Sequence, residues 1–77
     1  MAVLDVLLVH RYRLPSEAIV GTLRSDDRIA RADAATNRAR AIEQLRASSV
    51  DVVLVDASLG RSEVRETIRE IKELFPA

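Results

Sequence analysis

Apolar residues fall in two rhythms along this chain. Val3 to Val9, VLDVLLV, is short and apolar on both faces apart from Asp5. Such a run predicts a strand covered on both sides, the pattern of a parallel sheet. Leu14-Pro15-Ser16-Glu17 then opens a helix that continues through Ala18, Ile19, Thr22 and Leu23. Proline suits a first helical turn, where its missing N–H has no partner to lose. Ser25-Asp26-Asp27 carries turn chemistry and closes that helix. Arg28 to Asp33, RIARAD, alternates polar residues with Ile29, Ala30 and Ala32, which predicts a second strand. Thr36 or Asn37 can cap the next helix, whose apolar face is Ala41, Ile42 and Leu45 and which Ser48-Ser49 closes. Val50 to Val55, VDVVLV, is the clearest strand, β-branched and nearly all apolar. Asp56 to Gly60 reads as a loop, and Ser62 to Leu74 as the clearest helix. In that helix Val64, Ile68, Ile71 and Phe75 recur on one face. Glu63 and Glu66 favour its N-terminus, and Pro76 stops it.

Strand and helix therefore alternate three times. That order predicts an α/β fold, three βα units with a parallel sheet and right-handed crossovers, in one domain spanning residues 1–77. No internal repeat, linker or low-complexity stretch interrupts it. With 77 residues, such a domain buries only about 60% of the surface its unfolded chain exposes. Small domains usually gain further stability from disulfides, a metal or another chain. There is no Cys, and His10 is the single His. Disulfides and clusters of thiolate or imidazole ligands are therefore excluded.

Composition removes several function classes. Twelve basic and twelve acidic side chains give a formal net charge of zero, which argues against direct contact with nucleic acid or an anionic membrane. Tyr12 and Phe75 are the only aromatics, too few for a base-stacking platform. The longest apolar run, Val52 to Val55, is far short of the roughly 20 residues a membrane span needs. The N-terminus lacks a basic flank and carries Asp5, a poor signal peptide. A cytoplasmic chain is expected.

In open parallel sheets, chemistry gathers at the carboxyl ends of the strands. His10 and Arg11 follow the first strand and Asp56 the third, and a 2-1-3 strand order would make those strands neighbours. Each residue has a plain reading. Asp56 caps the following turn, His10 is packed or solvated, and Arg11 is a surface charge. Each has a functional one too. Asp56 lies in a strand-end crevice, Arg11 forms an ion pair that holds Asp56 ionised, and His10 with Asp56 makes the acid–base pair of a small α/β enzyme. No phosphate-binding glycine loop follows the first strand, where the chain reads HRYRLPSE, and no nucleophile-elbow serine accompanies the His. The charges of the last helix, Arg65 to Glu73, predict a solvated face with Arg69 opposite Glu73.

VLLVHRYRLPSEAIVGTL, followed by DVVLVDASLGRSEVRETIREIKELFP, resembles the first three-fifths of a response-regulator receiver domain, of the kind fused to LuxR/NarL-type DNA-binding domains. Val50 to Pro76 is the most specific part. The resemblance implies a partial flavodoxin-like three-layer fold with sheet order 2-1-3, part of a transcriptional regulator. It implies Asp56 as phosphoacceptor, a histidine kinase as partner, and magnesium held by two acids after the first strand and by the main-chain carbonyl of Ser58. Here the acid positions are His10 and Arg11, neither a hard oxygen ligand. Gly60 stands where the family has Pro, and Val64 where it has Gly. The expectation is an atypical receiver without magnesium as cofactor, acting by protein–protein contact. Asp56 as working phosphoacceptor, with Arg11 replacing the metal charge, is the alternative. By the same likeness the chain ends where a fourth strand should begin. Val50 to Val55 would then be an unprotected apolar edge, and self-association through it is expected.

Overall fold

The computed structural model describes residues 3–76. Strands β1 (Leu4–Val9), β2 (Ile29–Ala35) and β3 (Val52–Val55) alternate with helices α1 (Arg13–Arg24), α2 (Arg38–Ala47) and α3 (Arg61–Leu74). A single 3-10 turn, Ala57–Leu59, joins β3 to α3. The sheet is parallel, with β1 between β2 and β3. This is the α/β arrangement of three βα units in the order 2-1-3.

Each expected element forms, with shifted bounds. β2 runs two residues beyond Asp33, because Ala34 and Ala35 stay in register with Leu8 and Val9. Asp51 stands outside β3, and its carboxylate accepts from the Asp5 N–H at 2.8 Å. Asn37, not Thr36, caps α2, its side chain accepting from the Arg40 N–H at 2.9 Å. Pro15 lies in the first turn of α1.

The alternation within β1 divides the core. Leu7 and Val9 face α2 and α3 and pack with Ala35, Ala41 and Leu59. Val6 and Leu8 face α1 and pack with Val20 and Ala32. Burying a side chain of this size contributes about 2 kcal/mol, so β1 is the principal source of stability. The two faces are covered unequally. α1 lies over β1 and β2 and makes no contact with β3, whereas α2 lies over β2 and β1, and α3 over β3.

In α3 the expected apolar row holds for Val64, which packs on the core, and for the half-buried Ile71 and Phe75, but not for Ile68. The buried residue of the helix is Thr67, fully enclosed, whereas Ile68 is 40% exposed. Glu63, Glu66 and Glu70 all reach Arg38 of α2, at 3.2, 3.7 and 3.5 Å. Arg65, Arg69, Lys72 and Glu73 form the exposed face expected, whereas Glu66 and Glu70, with Glu63, are half-buried in an inter-helix clasp on Arg38. Arg69 pairs with Glu66, one turn back, instead of Glu73. The Thr67 hydroxyl has no hydrogen-bond partner among the described residues.

No helix among the described residues is long and apolar enough to cross a membrane.

Candidate strand-end site

The ladder itself brings His10, Arg11 and Asp56 together. The His10 N–H donates to Ala35 O at 3.0 Å, and the Asp56 N–H to Val9 O at 2.9 Å. Both residues thus extend their strands by one hydrogen bond and stand side by side at the carboxyl end of the sheet.

His10 is buried. Its Nδ1 accepts from the Tyr12 N–H at 3.1 Å. In the neutral ring that assigns the proton to Nε2. Nε2 lies 3.5 Å from Asp56 Oδ2, a loose electrostatic contact. With Nδ1 occupied and Nε2 protonated, this tautomer has no free lone pair.

Asp56 is held by the turn that follows it. Oδ2 accepts from the Ser58 N–H at 2.8 Å, capping the 3-10 turn. The plain capping role therefore applies. It does not consume the group, since the side chain is 37% exposed. The carboxyl sits below the ordinary carboxylate range. The Ser58 N–H does most to hold it there and the Ser58 hydroxyl adds to it; desolvation acts the other way, and His10 contributes least.

Arg11 does not form the ion pair expected with Asp56. Its guanidinium reaches past the carboxylate to the far end of the turn. Nε donates to Ser58 O at 3.0 Å and Nη2 to Leu59 O at 3.0 Å. Its main-chain N–H donates to Ser58 Oγ at 3.1 Å. The reason is geometric. The last carbonyls of a short helix have no partner within it, and a planar fork can bridge two adjacent ones. Leu59 is buried against Leu7 and Val9, which fixes the carbonyls in place. His10, not Arg11, is the side chain that approaches Asp56.

Sequence reasoning passed over the side chain of Ser58, noting only its main-chain carbonyl. Ser58 contributes three groups here: its N–H donates to Asp56, its O accepts from Arg11, and its hydroxyl accepts from the Arg11 N–H and also lowers the carboxyl's pKa. The signal was present as Asp-x-Ser directly after a strand, a pattern that favours a side-chain-capped turn. Gly60 has φ +91°. Proline, fixed near −65°, cannot adopt that angle, so the backbone itself requires the glycine found here.

Among the described residues no three His, Asp or Glu side chains converge in a way that could hold a metal ion. A groove of about 770 Å³ lies elsewhere, along the outer edge of β2 between α1 and α2, lined in part by Arg13, Arg24, Arg31 and Arg40. Compared with family models, with curated proteins and with solved structures, the chain matches none of them.

Proposed function

We propose that this chain is an atypical receiver-like signalling module that works by protein–protein contact, without magnesium-dependent phosphoryl transfer. The observation that carries the reading is the Arg11 fork on the Ser58 and Leu59 carbonyls. By the resemblance, the Ser58 carbonyl is a position where a receiver would bind magnesium. A guanidinium on that oxygen supplies fixed positive charge where the metal would supply it, and it would repel a divalent cation. With His10 and Arg11 in the acid positions, the donor set does not fit magnesium. Zero net charge supports a regulatory segment that leaves DNA contact to another part of a transcriptional regulator, in the cytoplasm.

The test is labelling with acetyl phosphate, with and without magnesium. No magnesium-dependent modification is expected. Magnesium-dependent labelling of Asp56 would overturn the reading.

A second reading has its own observation. Asp56 is ionised and partly exposed, and Oδ1 has no hydrogen-bond partner among the described residues. In that reading Oδ1 attacks the phosphorus of the donor, the bond from phosphorus to the leaving group breaks (P–N in a phosphohistidine, P–O in acetyl phosphate), and Arg11 stands in for the metal's charge. A histidine kinase would be the natural phosphodonor. It predicts labelling in the presence of a chelator, removed by Asp56→Ala. Absence of label under every condition would eliminate it.

A further inference from the structure

The two open edges of the sheet are not alike. On β2, the outward carbonyls of Ala32 and Ala34 are both capped. Arg24 Nε, from α1, donates to Ala32 O at 3.0 Å, and Gln44 Nε2, from α2, to Ala34 O at 3.2 Å. β2 also carries Arg31 and Asp33. Side-chain caps and charges both stop an edge from templating another strand. β3 has neither. It reads VVLV, with no charge. Because Asp56 turns its N–H inward to Val9, alternation turns the N–H and C=O of Val53 and Val55 outward. No side chain among the described residues bonds them.

Both sides of that edge are apolar. On the α1 side, Leu54 is 40% exposed, since α1 does not reach β3. On the other side, α3 turns its acids toward Arg38 of α2. Ile68 therefore projects from the opposite flank, over the open edge, and is also 40% exposed.

We infer that β3 pairs antiparallel with β3 of a second copy, about a two-fold axis perpendicular to the sheet through Leu54. This register sets Val53 opposite Val55 of the other copy and Val55 opposite its Val53, as hydrogen-bonded pairs that use the outward groups. Leu54 meets its own symmetry mate as a close non-hydrogen-bonded pair on the α1 side. Ile68 approaches its mate on the α3 side. The two sheets become one of six strands. The occupant is a second copy because the edge asks for an uncharged strand with free backbone groups flanked by apolar residues on both faces, and the chain itself presents that surface. Such an isologous contact closes on itself and goes no further. The inference supplies the contact that the interaction-module reading calls for, and it makes no use of the Asp56 carboxylate.

The test combines sedimentation and cross-linking. The wild-type chain is expected to sediment as a dimer at high micromolar concentration. Leu54→Lys and Ile68→Lys should each weaken the dimer roughly tenfold or more, about what losing one buried apolar contact is worth. Leu14→Lys, at a position 78% exposed on α1, should leave it unchanged. Because the chain has no Cys, Leu54→Cys introduces a single thiol, and mild oxidation should link it to its mate. Leu14→Cys should stay unlinked. Circular dichroism checks that each variant is folded. A wild-type monomer throughout, equal cross-linking of the two cysteine variants, or a dimer untouched by Leu54→Lys and Ile68→Lys would overturn the inference. Asp56→Ala should dimerise as wild type does, so failure of the phosphoryl experiments and failure of this one can be told apart.

Discussion

Replacing Arg11 by alanine tests the site at its most distinctive contact. The substitution removes the bonds from Nε to Ser58 O and from Nη2 to Leu59 O, both 3.0 Å. It leaves the main-chain bond from Arg11 to Ser58 Oγ in place. Hydrogen bonds from a charged donor contribute about 1.5–3 kcal/mol each when desolvated. Here one bond is at the surface and the other half-buried, and water can reach the freed carbonyls. Their joint contribution is therefore about 2 kcal/mol, below the roughly 3 kcal/mol that two fully desolvated bonds would give at the least. In a domain of this size 1 kcal/mol moves the melting temperature by about 4–8 °C, so Arg11→Ala should melt roughly 8–16 °C lower. Arg11→Lys should fall between, because an ammonium on a flexible stem cannot bridge two carbonyls as a planar fork does. Urea unfolding followed by circular dichroism gives both values at unchanged slope. An Arg11→Ala chain as stable as wild type, within about 0.5 kcal/mol, would show that the fork is an incidental surface contact. The charge argument for a metal-free site would then fail with it.

Further outcomes follow from groups outside that contact. Thr67→Val exchanges a buried hydroxyl that has no partner among the described residues for a methyl group of the same shape, and should stabilise the fold by about 1 kcal/mol in the same urea experiment. Asp26 is held at about 2 by the side chain of Arg28 first and its N–H second. A folded value below the unfolded one adds stability that is present above about 3.8 and is lost as pH falls through about 2. A carboxyl NMR titration should show this, and Arg28→Ala should return Asp26 toward 3.8. Asp56 is shifted the same way by the Ser58 N–H, so its contribution also fades only as pH drops below the unfolded carboxylate value. Asp56→Asn should flatten that part of the acid-unfolding profile, and an unaltered profile would contradict the Ser58 cap.

The linear pattern of residues was enough for the elements and their order. A both-faces-apolar run such as VLDVLLV has few homes except the middle of a parallel sheet, and three alternations of strand and helix leave little choice of handedness. It was also enough to send His10, Arg11 and Asp56 to one end of the sheet, because each directly follows a strand. Tertiary structure decided what they touch. The expected pairing of Arg11 with Asp56 follows from charge alone. Three-dimensional placement instead offers the fork two carbonyls that no helix hydrogen bond satisfies, and gives Asp56 a Ser58 N–H and a buried imidazole. The same holds for α3. Its sequence displays one apolar row, but in the fold Thr67 is enclosed, Ile68 stays 40% exposed, and three glutamates meet Arg38 of a separate helix. The difference between the two edges was equally invisible in the strand sequences. Arg24 and Gln44 cap β2 from helices 8 and 10 residues away in the chain, and no local rule links them to it. Periodicity reports which side of an element is apolar. Where its polar groups find partners depends on what the rest of the chain brings within 3 Å.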